Sequence, residues 1–305
     1  MSKFHAGELA LQEKMGSQRA SERLAELYIQ SALPLAATKF LECQPFAIAS
    51  SRDHDGQVWA SLLVGQAGFI RALDENTVLI EGPLCEGDPL FDNLPKRSEE
   101  AVPLGLLVIE LATRRRIRLN GQAIKTKDGH LSLHVEEFYP NCPKYIQRRE
   151  VQDPAQRPGQ TGFTTCSSPS LNAMQQAWIA AADTFFIATS WPEKGADASH
   201  RGGNPGFIQV MNEHRLLWPD YFGNNLFNTL GNLALNPHSG LLFVDFDRGH
   251  TLQLTGKAQV LWDPALAAQF AGAERVVSFE TDQVIDATHP FTMASRFIDF
   301  SPHNP

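Results

Sequence analysis

The densest group of chemically capable side chains is Ser199-His200-Arg201-Gly202-Gly203, followed by Asn204-Pro205-Gly206. An arginine offers a bidentate fork to an anion, and glycines let backbone N–H groups approach one closely. The same string also suits a turn in which glycine takes unusual dihedrals and the arginine is solvated. A second group, Trp218-Pro219-Asp220-Tyr221-Phe222-Gly223-Asn224-Asn225, runs into Phe227-Asn228-Thr229-Leu230-Gly231-Asn232. Hydroxyl and amide groups beside the free N–H groups of a helix start attract phosphate. Trp218 and Tyr221 have faces that can flank a planar ring. Capping by Asn224 or Asn225, with the aromatics in the core, accounts for the same residues. Elsewhere, Arg114, Arg115, Arg116 and Arg118 form a basic patch at a strand start, and Asn141–Arg149 reads NCPKYIQRR. Such cations hold a phosphate or an acidic partner, or simply sit in solvent on a hairpin. Cys142 has no histidine paired with it in sequence and reads as a buried or exposed thiol rather than a nucleophile.

Other chemistry is excluded. The four cysteines, Cys43, Cys85, Cys142 and Cys166, are far apart, which argues against a zinc site or a disulfide framework and fits a reducing cytoplasm. There is no GxSxG, HExxH or Walker A string, and Gly202–Gly206 lacks the strand–helix setting of a dinucleotide fold. With 26 Lys and Arg against 34 Asp and Glu, the net charge is −8, which argues against general nucleic-acid binding. No basic, apolar leader opens the chain and no apolar run approaches the roughly 18 residues of a membrane span. A soluble protein without membrane or nucleic-acid partners is expected.

These residues must be positioned by elements that occur twice. In 305 residues, about two domains are expected. Residues 60–70 (ASLLVGQAGFI) and 198–208 (ASHRGGNPGFI) share six of eleven positions, and 105–123 and 240–258 share six of nineteen. Between them, Leu90-Phe91 and Leu94 align with Leu226-Phe227 and Leu230. Three collinear blocks at nearly constant offset indicate a duplicated domain. Pro45–Ser51 and Thr184–Ser190 read as first strands, Thr77–Ile80 and Arg215–Trp218 as further short ones, and Arg116–Ala123 and Thr251–Val260 as half-buried strands. Leu226–Leu235 has helical spacing and stops at Asn236-Pro237. Each half is therefore expected to be a small antiparallel barrel crossed by one helix. The expected division is a helical segment over 1–35, broken near Gly16-Ser17, a first barrel over 36–151, a linker over 152–169 and a second barrel over 170–305. Asn172–Asp183 reads as the helix that opens the second barrel. The copies differ in equipment: Leu62-Leu63-Val64 stand where the second has His200-Arg201-Gly202. The acidic stretch Glu81–Asn93 lacks the aromatic pair.

The second half resembles the pyridoxamine 5′-phosphate oxidase-like family of FMN-binding split β-barrels. The resemblance rests on Asn225–Val260, especially Leu233-x-x-Asn236-Pro237, Gly240-Leu241-Leu242-Phe243 and the strand Leu252–Val260. The strings SHRGGNPGF (199–207), WPDYFGN (218–224), FNTLGN (227–232) and NCPKYIQ (141–147) are similar to a double-barrel subgroup that stands alone or precedes a ferredoxin-reductase-like module. The likeness spans residues 4–300, and the stand-alone form is expected here. It implies a mainly β fold, two tandem split barrels forming an intrachain pseudo-dimer, with FMN in the groove between them. It implies an FMN-dependent oxidoreductase of unassigned substrate and catalytic residues. Arg201, Ser199, Asn228 and Thr229 would sit at the phosphate and Trp218 or Tyr221 near the ring, with His200, Gly203, Asn225 and Asn232 completing the cofactor-binding set. A small-molecule substrate, an electron donor or reductase, and self-association are the implied partners. The sequence departs at the family's Ser-Arg-Lys string, which falls on Phe227-Asn228-Thr229. The two cations there have become Asn and Thr, removing bonds of about 1.5–3 kcal/mol each, so pyridoxamine-phosphate oxidation itself is not expected. The alternatives are a binding module that has lost flavin, and a haem-binding barrel ligated by His200 or His250.

Overall fold

The computed structural model describes residues 3–82, 84–95, 100–156, 162–191 and 195–305. Residues 157–161 of the expected linker, Met1 and Ser2 of the expected helical segment, and Pro83 of the acidic stretch lie outside these. Two helices open the chain, α1 (Ala6–Lys14) and α2 (Gln18–Tyr28). Gly16 between them takes the left-handed conformation at φ +63, which a helix break at this point requires. A third helix, α3 (Leu35–Glu42), has no counterpart in the sequence expectations.

The first barrel contains β1 (Phe46–Arg52), β2 (Val58–Val64), β3 (Ile70–Ala72), β4 (Thr77–Ile80), a one-turn helix α4 (Pro89–Asn93), β5 (Val102–Glu110), β6 (Arg115–Lys125) and β7 (Leu131–Asn141). Short strands β8 (Arg148–Val151) and β9 (Ala155–Gln156) follow. β10 (Thr164–Ser168) already belongs to the second sheet, where it pairs with the last long strand. The expected linker is thus partly strand. The second barrel contains α5 (Ala173–Ala181), β11 (Thr184–Trp191), β12 (Gly195–Gly202), β13 (Gln209–Val210), β14 (Arg215–Tyr221), α6 (Asn228–Leu235), β15 (His238–Asp245), β16 (His250–Leu261), α7 (Pro264–Ala267) and β17 (Ala273–Thr288). β18 (Phe291–Thr292) and β19 (Ser295–Asp299) return to pair with β9 and β8, tying the end of the chain to the first half.

The two sheets have one topology. Their strand orders are β2-β1-β5-β6-β7-β4-β3 and β12-β11-β15-β16-β17-β14-β13, the same sequence of positions in each half. Registers match as well: Phe46 faces Val64 as Thr184 faces Gly202. The halves also share a bulge at the same place, between Asn120 and Gly121 and between Thr255 and Gly256; the second half has another between Asp220 and Tyr221. Each barrel encloses its own apolar core. A third core, including Ile48, Leu62, Leu107, Phe186 and Leu242, lies where the barrels meet.

The barrels meet reciprocally, as in an isologous dimer. A Cβ on Gly105 of β5 would lie 2.6 Å from the Cα of Asp197 on β12, and a Cβ on Gly240 of β15 would lie 2.8 Å from the Cα of Trp59 on β2. Neither site has room for a side chain, which explains why both Gly-Leu-Leu runs begin with glycine. The helices differ more than the strands. Asp88 caps α4 and Pro89 sets its first turn, but Pro95 ends it after five residues. Each half has the expected crossing helix, α4 between β4 and β5 and α6 between β14 and β15, but the first is a single turn. Asn93 bonds to Ser51 as Asn232 bonds to Thr189, both at 2.9 Å. That pairing shifts the helix equivalence by three residues from the apolar alignment of Leu94 with Leu230. Among the described residues no helix is long and apolar enough to cross a membrane.

Candidate functional site: a cationic groove between the barrels

The largest concentration of unsatisfied polar groups lies in a groove between β6–β7 of the first barrel and β12, β14 and α6 of the second. It is an open groove with a cavity volume of about 120 Å³, lined by residues of both barrels. The sequence folds this way for three reasons. β12 stays extended through Gly202, so Ser199, His200 and Arg201 alternate between its faces. Gly202 is required because a Cβ there would strike the Tyr145 carbonyl oxygen at 2.1 Å. The expectation of a glycine turn at 199–203 is therefore corrected: neither Gly202 nor Gly203 has a positive φ, and close approach of the first-half segment 141–147 is what selects glycine. Finally, α6 begins at Asn228 after Phe227, which takes φ +61 and supplies no side-chain cap.

The consequences at α6 are electrostatic. Among the described residues, the N–H groups of Phe227, Asn228, Thr229 and Leu230 have no acceptor in the chain; the first helical bond is from Gly231 to the Phe227 carbonyl. Four free donors at a helix start attract an anion. Among the described residues, three of the four non-glycine positions with positive φ, namely Tyr145, Asn225 and Phe227, line this groove. Such conformations cost about 1–3 kcal/mol each and concentrate at functional sites.

The groove is rich in arginine, and its arginines divide into two kinds. Arg118 is buried and neutralised: it donates to Asp197 at 3.0 and 3.2 Å and to the Ser199 hydroxyl at 2.7 Å. Burial works against its charge, but Asp197 and Tyr139 outweigh that and hold its pKa above the usual arginine value. Arg275, 1% exposed, lies 3.0 Å from Asp220 and stacks over Phe227 and Trp262, with its Nη1 unpartnered. Arg116 and Arg201 are of the other kind. Among the described residues neither has a carboxylate partner: Arg116 donates to the carbonyls of Cys142 and His200, and Arg201 to the Ser199 hydroxyl and the His200 carbonyl. Burial pushes Arg116 down to about 10, with Arg118 and Arg201 adding to the effect against the pull of Cys142. It still carries its charge at neutral pH. Burial, followed by the field of Arg116 and Arg201, holds His200 well below the usual histidine range. This imidazole is neutral, 2% exposed, and neither ring nitrogen has a partner. Thr229 Oγ1 and Asn141 Oδ1 are also buried and unpartnered. Buried polar atoms are normally satisfied, and this set makes the groove the candidate ligand site.

Several expected site residues serve the frame instead. Ser199 is fully buried and accepts from both Arg118 and Arg201. Asn228, turned so that its amide nitrogen faces Asp197, donates to both carboxylate oxygens at 2.8 and 3.2 Å. It lines the groove, but its amide is engaged by the protein. Asn232 bridges Thr189 and His5 outside the groove. Gly203 sits behind it, with no room for a side chain against the Phe207 ring. The expectation of Trp218 near a bound ring is corrected: it is 1% exposed and packs edge-on against Phe185 in the barrel core. His200, Arg201, Tyr221, Asn225 and Thr229 do line the groove, as do Arg116, Arg118 and Cys142. Arg114 is instead engaged by Asp299 and the Ile146 carbonyl, and Arg115 by Glu110. His250 lies elsewhere, against Asp286 and stacked on Trp178. Sequence reasoning missed Arg275; a lone arginine at the head of the apolar run Val276-Val277 was the available signal. It also missed Tyr145, whose ring lies 4.9 Å from Tyr221 and whose hydroxyl donates to the Phe222 carbonyl.

The equivalent place in the first copy is closed. There Gln253 stands where Arg118 does, donating to Ser61 at 3.2 Å and to Asp88 at 3.2 Å. Leu62 and Val64 are buried in the shared core, and Phe163 packs with Trp59, Ile285 and Ala287 and against the His289 ring.

Comparison with known proteins places the second barrel. Residues 171–293 match the family described as pyridoxamine 5′-phosphate oxidase, which carries the resemblance read from the sequence for that part of the chain. No curated protein matches. Among solved structures, a Lactobacillus delbrueckii protein provisionally described as a pyridoxamine 5′-phosphate oxidase is 15% identical, covering 38% of this chain and 94% of its own, with a TM-score of 0.32. The FAD binding protein from Mycobacterium smegmatis is 17% identical over 40% and 99%, with a TM-score of 0.29. An FMN-binding protein from Syntrophomonas wolfei is 10% identical over 36% and 82%, with a TM-score of 0.27.

Proposed function

We propose that the chain is a flavin-binding redox protein that holds one FMN in the groove between its barrels. The observation that carries this reading is the pairing of two guanidiniums without an ion-paired carboxylate among the described residues, the buried Arg116 and the partly buried Arg201, with the uncapped start of α6. Together they offer charge and backbone donors to a dianionic phosphate without the cations expected at Asn228 and Thr229. Thr229 Oγ1 and Asn141 Oδ1 supply a hydroxyl and an acceptor to the remainder of the cofactor, and Tyr221 and Tyr145 are the aromatic neighbours on this groove. When bound, FMN supplies hydride or electron transfer, and the protein's part is position and electrostatics. The neutral His200 accepts or donates one hydrogen bond without adding charge. An oxidoreductase role with a small-molecule substrate, or with a separate reductase as electron donor, follows from that cofactor. The shared topology and reciprocal glycine contacts support an internal duplication. The four free cysteines suit a reducing, cytoplasmic setting.

The test is the visible absorption spectrum of the protein as purified and after adding FMN, FAD or haem. A flavin spectrum, or saturable quenching of FMN fluorescence, supports the reading; a colourless protein that leaves FMN fluorescence unchanged overturns it. Haem is a second reading, because His200 is a neutral imidazole with both nitrogens free. It requires a Soret band on haem addition that His200→Ala removes.

A further inference from the structure

The helices that open the chain precede the first barrel, yet they pack against the groove of the second. α1 and α6 cross almost backbone to backbone: a Cβ on Gly7 would lie 2.1 Å from the Gly231 carbonyl oxygen, and one on Gly231 would lie 2.7 Å from the Glu8 backbone nitrogen. His5, the N-cap of α1, bonds through Nε2 to Asn232 Oδ1 at 2.9 Å. Beyond α6, two buried side chains take hold of the loop that starts it. Gln12, fully buried on α1, donates to the Leu226 carbonyl at 3.2 Å, and Ser21, fully buried on α2, donates to the Asn225 carbonyl at 2.8 Å. Leu226 itself packs with Phe4 and Ala25. Lys3 closes the hairpin by donating to the carbonyls of Ala25 and Ile29.

The direction of these bonds matters. In a trans peptide the C=O and the following N–H point opposite ways. Drawing the Leu226 carbonyl toward Gln12 therefore turns the Phe227 N–H away from α1, where it has no acceptor in the chain among the described residues. The two residues whose left-handed φ values shape this loop, Asn225 at +58 and Phe227 at +61, flank the Leu226 peptide. Neither is glycine, so each conformation must be imposed by surrounding contacts.

We propose that the α1–α2 hairpin is the positioning element of the groove. Through Gln12 and Ser21 it fixes the strained loop 225–227, and through Gly7 and His5 it fixes α6, so that the free N–H groups of residues 227–230 converge on one anion. The ligand part of this rests on the flavin reading; the positioning of the loop does not.

The experiment compares full-length wild type with the double variant Gln12→Met/Ser21→Ala, which keeps volume but removes both donors. Leu41→Ala, in the core of the first barrel, serves as a destabilised control. Two quantities are read: native-state hydrogen exchange of residues 225–232, and the FMN dissociation constant. The expected result is about a tenfold or greater rise in exchange of the loop amides in the double variant, with a similar weakening of FMN. The control should show a lowered melting temperature and neither local change. Loop exchange and FMN affinity both equal to wild type in the double variant would overturn the proposal, as would the same local loosening in the control. If wild type binds no FMN, the flavin reading fails. The positioning role is then decided by the exchange data alone.

Discussion

The two grooves of this chain are built on the same strands and have opposite character. At the open one, Arg118 on β6 reaches Ser199 and Asp197 on β12; at the closed one, Gln253 on β16 reaches Ser61 on β2 and the helix cap Asp88. Arg116 has Thr251 as its counterpart, judging by register: Ile109 faces Arg116 as Val244 faces Thr251. Thr251 bonds to His289 and carries no charge. The lesson is that reciprocal barrel contacts hold the framework, including both close glycine approaches, while a few side chains per groove set whether it is polar and open or apolar and filled. Buried charge is tolerated on the open side because solvent or an anion can reach it. The closed side is filled by Phe163 and Trp59.

The comparison can be broken most sharply at Arg116 and Arg201, the two groove arginines with no carboxylate in ion-pair contact among the described residues. Removing both with Arg116→Ala/Arg201→Ala is expected to weaken FMN about a hundredfold or more, at about 1.5–3 kcal/mol for each charge-assisted bond. Fluorescence titration measures it. Next in size, Arg118→Met strands the buried carboxylate of Asp197, and a loss of about 3–5 kcal/mol of stability is expected by denaturant unfolding. The matching change at Gln253→Met should cost only about 1–2 kcal/mol, because only neutral donor bonds and one to Asp88 are lost.

A third prediction concerns pH. Burial pushes Asp88 up to about 6, against the opposing hydrogen bonds from Ser61, Leu90 and Gln253. Because the folded pKa is raised, the fold favours the neutral acid. That contribution is fully present below the ordinary carboxylate range near 4 and is lost as pH rises through about 6. Asp88→Asn, which can still cap α4, is therefore expected to flatten the fall in stability between pH 4 and pH 7. It should stabilise the protein at pH 7 on the order of 2 kcal/mol. Unfolding midpoints across that range decide it; an unchanged slope would remove Asp88 as the cause. The smallest effect is expected from Phe163→Ala. It should cost about 1–2 kcal/mol, because the ring is only half-buried, and it should not create a second flavin site, since no cation waits behind it.

Much of this contrast was legible in the chain. Strands β1, β4, β6, β11, β14 and β16 and helices α5 and α6 follow from periodicity and stop signals, whereas the long β7 and β17 were not read, and replacement of His200-Arg201 by Leu62-Leu63 already marked the second copy as the polar one. What was not legible depended on facing and on distance. Trp218 looked like a ring partner because it neighbours Tyr221, but Leu216–Trp218 is buried throughout and only the strand end from Pro219 reaches the groove. Arg275 and Tyr145 stand 74 and 56 residues from Arg201 in sequence; the pairing of β17 with β14 brings the first to the groove, and the close approach of the 141–147 connection to Gly202 brings the second. Asn228 sits at an expected phosphate position, yet Asp197, the residue that claims its amide, lies on a strand whose pairing the sequence does not specify. Gly7 and Gly231 meet across most of the chain, and neither carries a local signal of that contact.

The central claim is that one of two equivalent grooves binds a flavin. Titration of FMN against known concentrations of protein, with bound flavin counted per chain, tests it most directly. The account predicts one FMN per chain in the wild type and loss of that site in Arg116→Ala/Arg201→Ala. Two FMN per chain, no saturable binding, or unchanged binding in the double variant would contradict it.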